Sequence, residues 1–253
     1  MQYLHMEMRD DIVLATLARP QHRNALNKAL LGELRVALEA AEQNGTKVFM
    51  LTGEGRAFAA GADIAELASM DPSQVLQFCH QGQQVAALLE RSPFLTIAAV
   101  NGYALGGGFE MALACDLVYA SEQAQFGFPE CMLGLIPGFG GTQRLARTVG
   151  LHKAKELIFT GARLSAEAAA ALSLVNQVIS AENLIEHCWK TAREINVNSF
   201  SALIQAKNVI NSSAYLPMEE SLELESRMCT LCFTTEECAK ALHGFLSHRS
   251  KHA

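Results

Sequence analysis

The feature that most constrains the fold is a repeated order of elements over the first two-thirds of the chain. A short apolar strand leads into a glycine-rich loop, and the loop leads into a helical pattern. Apolar and β-branched runs predict strands at Ile12–Leu17, Lys47–Leu51, Thr96–Val100, Leu117–Ala120 and Leu174–Ile179. This repetition predicts an α/β body of stacked turns, with the loops gathered at one edge.

The helical patterns divide the chain into two parts. Leu26–Gln43 repeats apolar residues at close to the helical period, which predicts the first helix. From about residue 181 only helices are predicted, with Pro217 at a first helical position and Thr234 with Glu237 as a capping box. These helices are expected at Asn183–Ile195, Ser201–Ile210, Pro217–Leu231 and Thr235–Ser247. We therefore expect a core of residues 1–195 that carries the active site, and a helical oligomerisation region of residues 196–253.

Composition and charge exclude several classes of protein. Half of the 253 residues are hydrophobic and 18% are charged, which is typical of a globular chain. The longest apolar stretches, such as Phe94–Val100, are too short to cross a bilayer, and residues 1–11 lack the apolar segment of a signal peptide. A net charge of −6 argues against a general nucleic-acid binder. We expect a cytoplasmic protein with neither a membrane nor a nucleic acid as partner.

The cysteines do not indicate a metal site. The chain has seven of them, scattered without a disulfide framework, as expected for reduced thiols. Cys229 and Cys232 form a C-x-x-C pair, but a zinc site needs a second pair of ligands at suitable spacing. We therefore predict no metal ligands.

Two glycine-rich loops present bare backbone immediately before a helical segment. They are Ala59-Ala60-Gly61-Ala62-Asp63 and Gly106-Gly107-Gly108. N–H groups at a helix N-terminus are unsatisfied and lie at the positive end of the helix dipole. Two such groups aimed at one point form an oxyanion hole, and small residues let a ligand oxygen approach them. The alternative is that these glycines only permit tight turns or close packing.

Neither these loops nor a third one fits a nucleotide-binding motif. A G-x-G-x-x-G beginning at Gly106 would have to end in glycine where this chain has Met111. The loop Gly138-Phe139-Gly140-Gly141-Thr142 lacks the lysine of a P-loop. We therefore predict no nucleotide site here.

Two glutamates stand in apolar surroundings, 20 positions apart. Glu110 follows Gly107 by three residues in the first turn of an apolar helix, and Glu130 stands between Phe128-Pro129 and Cys131-Met132-Leu133. A carboxylate is costly to bury unless it is paired or protonated. Either glutamate alone is explained as readily by exposure, a structural hydrogen bond or the helix dipole. As a pair beside an oxyanion hole, they suit acid–base work on a carbonyl compound.

Five stretches carry a resemblance to a known family. They are Arg19-Pro20 with Asn24-Ala25-Leu26-Asn27, then 57–64, 100–110, 126–130 and 137–145. In this order, and across essentially the whole chain, they resemble the enoyl-CoA hydratase/isomerase (crotonase) superfamily. The resemblance implies an α/β fold, the crotonase (ClpP-like) spiral of β-β-α turns with a C-terminal helical trimerisation region. It also implies a homo-oligomer, either a trimer or a dimer of trimers.

The resemblance further implies a reaction and its residues. The N–H groups of Ala62 and Gly107 would bind the oxygen of an acyl-CoA thioester, while Glu130 protonates C2 and Glu110 activates water. The implied reaction adds water across the 2,3 double bond of a trans-2-enoyl-CoA to give 3-hydroxyacyl-CoA, as a hydro-lyase. It needs no cofactor, because coenzyme A is part of the substrate. The implied substrate contacts are Ala25, Leu26, Ala60, Asp63, Ile64, Phe128 and Gly138.

Departures from the family pattern concern the phosphates of coenzyme A. The resemblance places a basic residue where this chain has Ala65, and a Lys-Arg pair where it has His248-Arg249. Arg23, Lys28 or Arg249 are the candidates to replace those cations. Two alternatives to hydration stay open: an isomerase that moves the double bond from C3 to C2, and a non-catalytic scaffold that binds acyl-CoA or RNA.

Overall fold

The computed structural model describes residues 1–249 as an α/β fold with a helical C-terminal part. The strands are β1 (Leu4–Arg9), β2 (Ile12–Leu17), β3 (Val48–Gly53), β4 (Ala57–Ala59), β5 (Leu95–Val100), β6 (Tyr103–Leu105), β7 (Leu117–Ser121), β8 (Gln125–Gly127), β9 (Leu164–Ser165) and β10 (Gln177–Ile179). The helices of the first part are α1 (Lys28–Gln43), α2 (Ile64–Leu67), α3 (Pro72–Arg91), α4 (Gly107–Leu113), α5 (Gly141–Val149), α6 (Leu151–Thr160) and α7 (Ala166–Ala171). Later in the chain come α8 (Leu184–Asn196), α9 (Phe200–Ser213), α10 (Met218–Phe233) and α11 (Glu236–Arg249).

The strands form two sheets that the chain visits in turn. The larger sheet has the order β1-β2-β3-β5-β7-β10, and the smaller has the order β4-β6-β8-β9. The pairs β3–β4, β5–β6 and β7–β8 each place one strand in the larger sheet and the next in the smaller one. A helical segment follows each pair. The predicted spiral of β-β-α turns is therefore confirmed.

The smaller sheet fixes where the loops lie. β4, β6 and β8 are parallel neighbours, with Ala57 opposite Tyr103 and Leu105 opposite Gly127. Parallel strands end at the same edge of a sheet. The segments that follow these three strands, residues 60–63, 106–108 and 128–130, therefore share one edge, as the sequence predicts.

The core lies where the larger sheet meets α1 and α3. All six residues of β3 are buried, as expected for a central parallel strand covered on both faces. β1 pairs antiparallel with β2 at the edge, and five of its six residues are exposed. α1 packs with α3 and buries its face of Leu30, Leu31, Leu34, Ala37, Leu38 and Ala41.

Two predicted boundaries in the first part are wrong. The first helix begins at Lys28 rather than at Leu26, because the side chain of Asn27 accepts the N–H of Leu30 at 2.8 Å and caps it. Leu26 instead forms a parallel bridge with Ala62. The strand predicted from Leu174 covers only Gln177–Ile179.

The four predicted C-terminal helices are confirmed as α8 to α11, but two of their caps are wrong. Pro217 is the N-cap of α10 and not its first helical residue. Thr234 ends α10, and Thr235 instead accepts the N–H of Cys238 at 3.2 Å. The carboxylate of Glu237 accepts the hydroxyls of Ser199 and Ser201.

The chain divides into two compact units, one of Met1–Ala192 and one that begins at Arg193. The candidate site residues lie in the first unit. Within residues 1–249 we find no helix whose length and apolar character would let it cross a membrane. The functions expected of the two parts stay predictions, as does the cytoplasmic location.

The contact between α4 and β4 gives a test of the packing that brings the site together. A Cβ on Gly108 would lie 2.0 Å from the backbone oxygen of Ala59, so Gly108→Ala forces the two elements apart. We expect it to lower the free energy of unfolding by about 2 kcal/mol or more in urea. The matched control is Gly244→Ala in α11, where an added Cβ meets nothing within 4 Å. A Gly108→Ala chain as stable as the native one would contradict this packing.

Candidate active site

The first loop of the site, residues 60–63, is held by Leu26. The N–H of Leu26 donates to the oxygen of Gly61, and the N–H of Asp63 donates to the oxygen of Leu26, both at 2.8 Å. In a parallel bridge of this kind, the residue between the two bonded groups directs its own N–H and C=O to the other side. The N–H of Ala62 therefore points away from Leu26, on the side where a ligand could meet it.

The second loop, residues 106–108, runs into α4. Gly106 caps this helix with φ +48°, a conformation that favours glycine, and Gly107 is the first helical residue. First-turn N–H groups have no intrahelical acceptor, so the N–H of Gly107 is available to a ligand. A Cβ on Gly107 would lie 3.3 Å from Leu26 Cδ1, so Leu26 contacts both loops. The structure thus brings the Ala62 and Gly107 loops together.

A buried ion pair fixes the first loop from behind. The Arg19 guanidinium donates to Asp63 Oδ2 at 3.0 Å and to the backbone oxygen of Ala25 at 2.5 Å. Asp63 also caps α2 by accepting the N–H groups of Ala65 and Glu66. Burial by itself raises the pKa of Asp63, but Arg19 and these N–H groups outweigh it and hold the pKa below its ordinary value. Both oxygens of this carboxylate therefore have hydrogen-bond partners within the protein, and Asp63 fixes the position of its loop.

Glu110 lies one turn into α4 and is only 1% exposed. Its Oε1 accepts the N–H groups of Phe139 at 2.7 Å and Gly141 at 2.6 Å. Burial raises the pKa of Glu110, while these two N–H groups and the charge of Arg144 act in the opposite direction. The balance leaves the pKa of Glu110 raised, and the two N–H groups and Arg144 make its ionised form less costly than burial alone would make it.

The loop of residues 138–141, which we call the carboxylate loop, is anchored by Phe139. This ring is 3% exposed and packs edge-on against Phe78 of α3, with ring centroids 5.3 Å apart. A Cβ on Gly82 would fall 2.2 Å from the same ring, so α3 and the loop are in close contact. The N–H groups that hold Glu110 are thereby fixed by the core.

Glu130 follows β8 and has different surroundings. Its Oε2 is buried, and within residues 1–249 it has no hydrogen-bond partner. Its Oε1 lies against Gly106, where a Cβ would come within 2.4 Å of that oxygen. Burial raises the pKa of Glu130 to about 7, its own backbone N–H lowers it, and the charge of Glu110 raises it. Both carboxyls therefore have raised pKa values, but N–H donors oppose the rise at Glu110, whereas the charge of Glu110 adds to the rise at Glu130.

The remaining residues predicted to bind the substrate differ in how far they are exposed. Ala25, Ala60 and Gly138 are half-buried beside the loops, and Ile64 is exposed at the start of α2. Phe128 is 1% exposed and stacks on Phe109 with ring centroids 4.9 Å apart. Phe128 therefore lies inside an aromatic cluster, where it supports the site by packing.

The structure shows the surroundings of some, but not all, of the cations predicted to bind the phosphates of coenzyme A. Arg23 is exposed, and its backbone oxygen accepts the N–H of Ala60 at 3.0 Å, which places it next to the first loop. Lys28 is half-buried at the start of α1. The side chains of His248 and Arg249 lie outside the described residues. In the part of the chain that is described, no three His, Cys, Asp or Glu side chains are grouped as metal ligands.

Sequence reasoning missed the residues that support Glu110. Phe139, Gly141 and Arg144 belong to a stretch that carries the family resemblance, but no role was predicted for them. Glu90, which pairs with Arg144 at 2.8 Å, stands 54 positions earlier in the chain. The available signal was the glycine-rich carboxylate loop, because exposed N–H groups in such a loop can hold a carboxylate as well as a ligand.

Comparison with known proteins identifies the family of the chain. The sequence matches the enoyl-CoA hydratase/isomerase family over residues 7–252. It is 39% identical to the short-chain-enoyl-CoA hydratase of Clostridium acetobutylicum, covering 96% of this chain and 94% of that protein. It is also 39% identical to the 2,3-dehydroadipyl-CoA hydratase of Escherichia coli, covering 99% and 98%. A crystal structure of enoyl-CoA hydratase subunit I from Geobacillus kaustophilus matches with a TM-score of 0.93 at 40% identity, covering 97% and 95%.

The chain therefore belongs to the enoyl-CoA hydratase/isomerase (crotonase) family. The predicted fold class is confirmed by the same comparisons.

The unusual pKa of Glu130 predicts a pH-dependent stability. Below its ordinary value of 4.5 this carboxyl is neutral in both the folded and the unfolded chain, and above about 7 it is ionised in both. Between these values the unfolded chain alone ionises, so the free energy of unfolding falls as pH rises, by up to about 3 kcal/mol. Because glutamine cannot ionise, we expect Glu130→Gln to raise the melting temperature at about pH 8 and much less at about pH 5.

The matched control for this measurement is Glu122→Gln, which removes an exposed carboxylate. It should leave the pH profile of the melting temperature unchanged. Parallel profiles for the native and Glu130→Gln chains would show that this carboxyl has an ordinary pKa.

Proposed function

We propose that this protein is an enoyl-CoA hydratase, which adds water across the 2,3 double bond of a trans-2-enoyl-CoA to give a 3-hydroxyacyl-CoA. The observation that carries the proposal is the pair of carboxylates in unlike surroundings. Glu110 is held by two backbone N–H groups, whereas Glu130 has a buried oxygen with no partner among the described residues. Both lie next to loops that present backbone N–H groups.

The N–H groups of Ala62 and Gly107 are proposed to form the oxyanion hole. When the thioester oxygen accepts both hydrogen bonds, the double bond is polarised and C3 becomes electrophilic. Negative charge then develops on that oxygen as water adds, and donors fixed in advance stabilise it without reorganising. Removal of one such donor costs about 3–4 kcal/mol of barrier in other enzymes.

The two carboxylates are proposed to divide the acid–base work. Ionised Glu110 accepts a proton from the water as the water attacks C3. Protonated Glu130 delivers its proton to C2, which completes the addition of water. An acid with a pKa of about 7 is well suited to donate at neutral pH, because it is protonated and still gives up its proton readily.

The substrate is proposed to lie along the edge that carries the three loops. Ala25, Ala60 and Gly138 expose little or no side chain there, which leaves room for the thioester. Ile64, which is exposed, is the proposed apolar contact, whereas Leu26 was predicted as a contact but is 0% exposed and supports the loops from below. Arg23 and Lys28 are the proposed partners of the phosphates. The length of the acyl chain is left open.

Paired glutamates favour hydration over the isomerase alternative. Moving a double bond requires one group that removes a proton and returns it, and a single carboxylate suffices. Hydration needs a base for the water and an acid for C2 at the same time. The chain has both carboxyls in unlike surroundings, so it supplies the second group that hydration needs, and the arrangement still permits isomerisation as a side activity.

The first test is loss of enoyl-thioester absorbance with crotonyl-CoA. We expect the native protein to be active, and Glu110→Gln and Glu130→Gln each to lower kcat by roughly a hundredfold or more. Glu122→Gln, on an exposed loop, should retain native activity. If the native protein fails to hydrate short, medium and aryl enoyl-CoAs, the hydratase proposal is wrong, and the isomerase assay follows.

We also propose that the chain forms a homo-oligomer, a trimer or a dimer of trimers, through its C-terminal helices. The unit that begins at Arg193 exposes large apolar side chains, and the exposure of apolar surface to water is unfavourable. In α11 these include Leu242, Phe245 and Leu246, which are 47%, 64% and 62% exposed.

This proposal is tested by sedimentation. We expect the native chain to sediment as a trimer or hexamer, and Phe245→Glu to shift it towards smaller species because a charge would have to be buried. His243→Glu adds the same charge at another exposed position of α11 and should have a smaller effect. A native chain that sediments as a monomer would rule out the proposed assembly.

A further inference from the structure

We propose that Arg144 is a positioning residue of the reaction: paired with Glu90, it fixes the carboxylate loop and so sets the position of Glu110. The inference rests on the proposed hydratase function, because it concerns the proposed base. It assigns a role to two side chains outside the proposed catalytic pair.

The guanidinium of Arg144 joins two elements across the loop. Its Nη1 donates to the backbone oxygen of Phe139 at 3.0 Å, and its Nη2 donates to Glu90 Oε2 at 2.8 Å. Arg144 lies in the first turns of α5 and Glu90 near the end of α3. The two side chains are 15% and 24% exposed, so water screens the pair only in part. The planar fork of arginine makes both bonds at once, which a lysine cannot do in the same geometry.

Phe139 is the point where this pair acts on the site. Its backbone oxygen accepts from Arg144, and its N–H donates to Glu110 Oε1. Both backbone groups of one residue are therefore fixed, one by the ion pair and one by the base. Gly140 leaves room for the guanidinium, since a Cβ there would lie 2.3 Å from Arg144 Nη1. Loss of Arg144 would free the carboxylate loop at the residue that aims an N–H group at Glu110.

The pair also affects the charge at Glu110. Three ionisable groups influence it or respond to it: Arg144 on α5, Glu130 after β8, and Cys79 on α3. Of these, Arg144 is the cation, and its charge favours the ionised carboxylate. Burial raises the pKa of the Cys79 thiol, and the charge of Glu110 raises it further, so this thiol adds no negative charge at neutral pH. Removal of Arg144 should therefore make Glu110 harder to ionise.

The experiment compares Arg144→Gln, Arg144→Lys and Glu90→Gln with Arg147→Gln as the matched control. Arg147 is an exposed cation of the same helix, so its replacement removes the same charge away from the loop. With crotonyl-CoA we expect Arg144→Gln to lower kcat about tenfold or more while KM changes little, because a misplaced base affects the chemical step. The acid limb of its kcat profile should move to higher pH.

Arg144→Lys and Glu90→Gln separate charge from position. Lysine keeps the charge but not the fork, so Arg144→Lys should restore the native acid limb and only part of kcat. Glu90→Gln leaves the guanidinium charged but weakens its anchor, so kcat should fall without an upward shift of the acid limb. An arginine with a merely structural role would give no shift of the acid limb that Arg144→Lys reverses.

Amide hydrogen exchange of the 138–141 segment provides a readout that does not depend on activity. Loss of a hydrogen bond to a charged group should speed exchange about tenfold there in Arg144→Gln, with no change in Arg147→Gln. The proposal would be overturned if the native protein is active but Arg144→Gln has the same pH profile of kcat and the same exchange rates as Arg147→Gln. The proposed function would then still stand. An inactive native protein would refute the function, and exchange would then decide whether the pair fixes the loop.

Discussion

Burial of the Glu110 carboxylate is the constraint on which the site depends. A carboxylate removed from water is strongly destabilised unless hydrogen bonds and charge replace the lost hydration. Here the replacement comes from the N–H groups of Phe139 and Gly141, in a loop that is itself anchored to α3 by the Phe139 ring. The position of the proposed base is thus a property of the core. Any change that loosens α3 or the carboxylate loop reaches the site.

The spiral explains how such distant segments meet. Each of three successive turns places a three-residue strand in the smaller sheet, and the chain leaves all three strands at one edge. The first turn supplies Ala62, the second supplies Gly107 and Glu110, and the third supplies Glu130. The proposed donors, base and acid therefore come together because the turns are stacked in parallel.

The sequence was most informative where a pattern is long or a motif is local. β2, β3, β5 and β7, the four C-terminal helices and both glutamates could be predicted, because apolar period and glycine-rich loops are local signals. β4, β6 and β8 were missed because three residues are too few to show a period. Leu26 fits the helical pattern of α1, yet its backbone pairs with Ala62, which is a tertiary contact. The same holds for Glu90 and Arg144, whose pairing depends on how α3 and α5 pack.

The unequal surroundings of the two carboxyls connect the fold to the chemistry. Two identical carboxyls at short range would share one proton without preference, and either arrangement of acid and base would be populated. In this protein burial raises the pKa of both carboxyls, but N–H donors and a cation oppose the rise at Glu110, whereas one buried oxygen of Glu130 has no partner among the described residues. The negative charge on Glu110 then raises the pKa of Glu130 further. In the proposed mechanism, the surroundings of the two carboxyls therefore distinguish the base from the acid before a substrate arrives, and an addition that needs both at once can begin without a prior proton transfer.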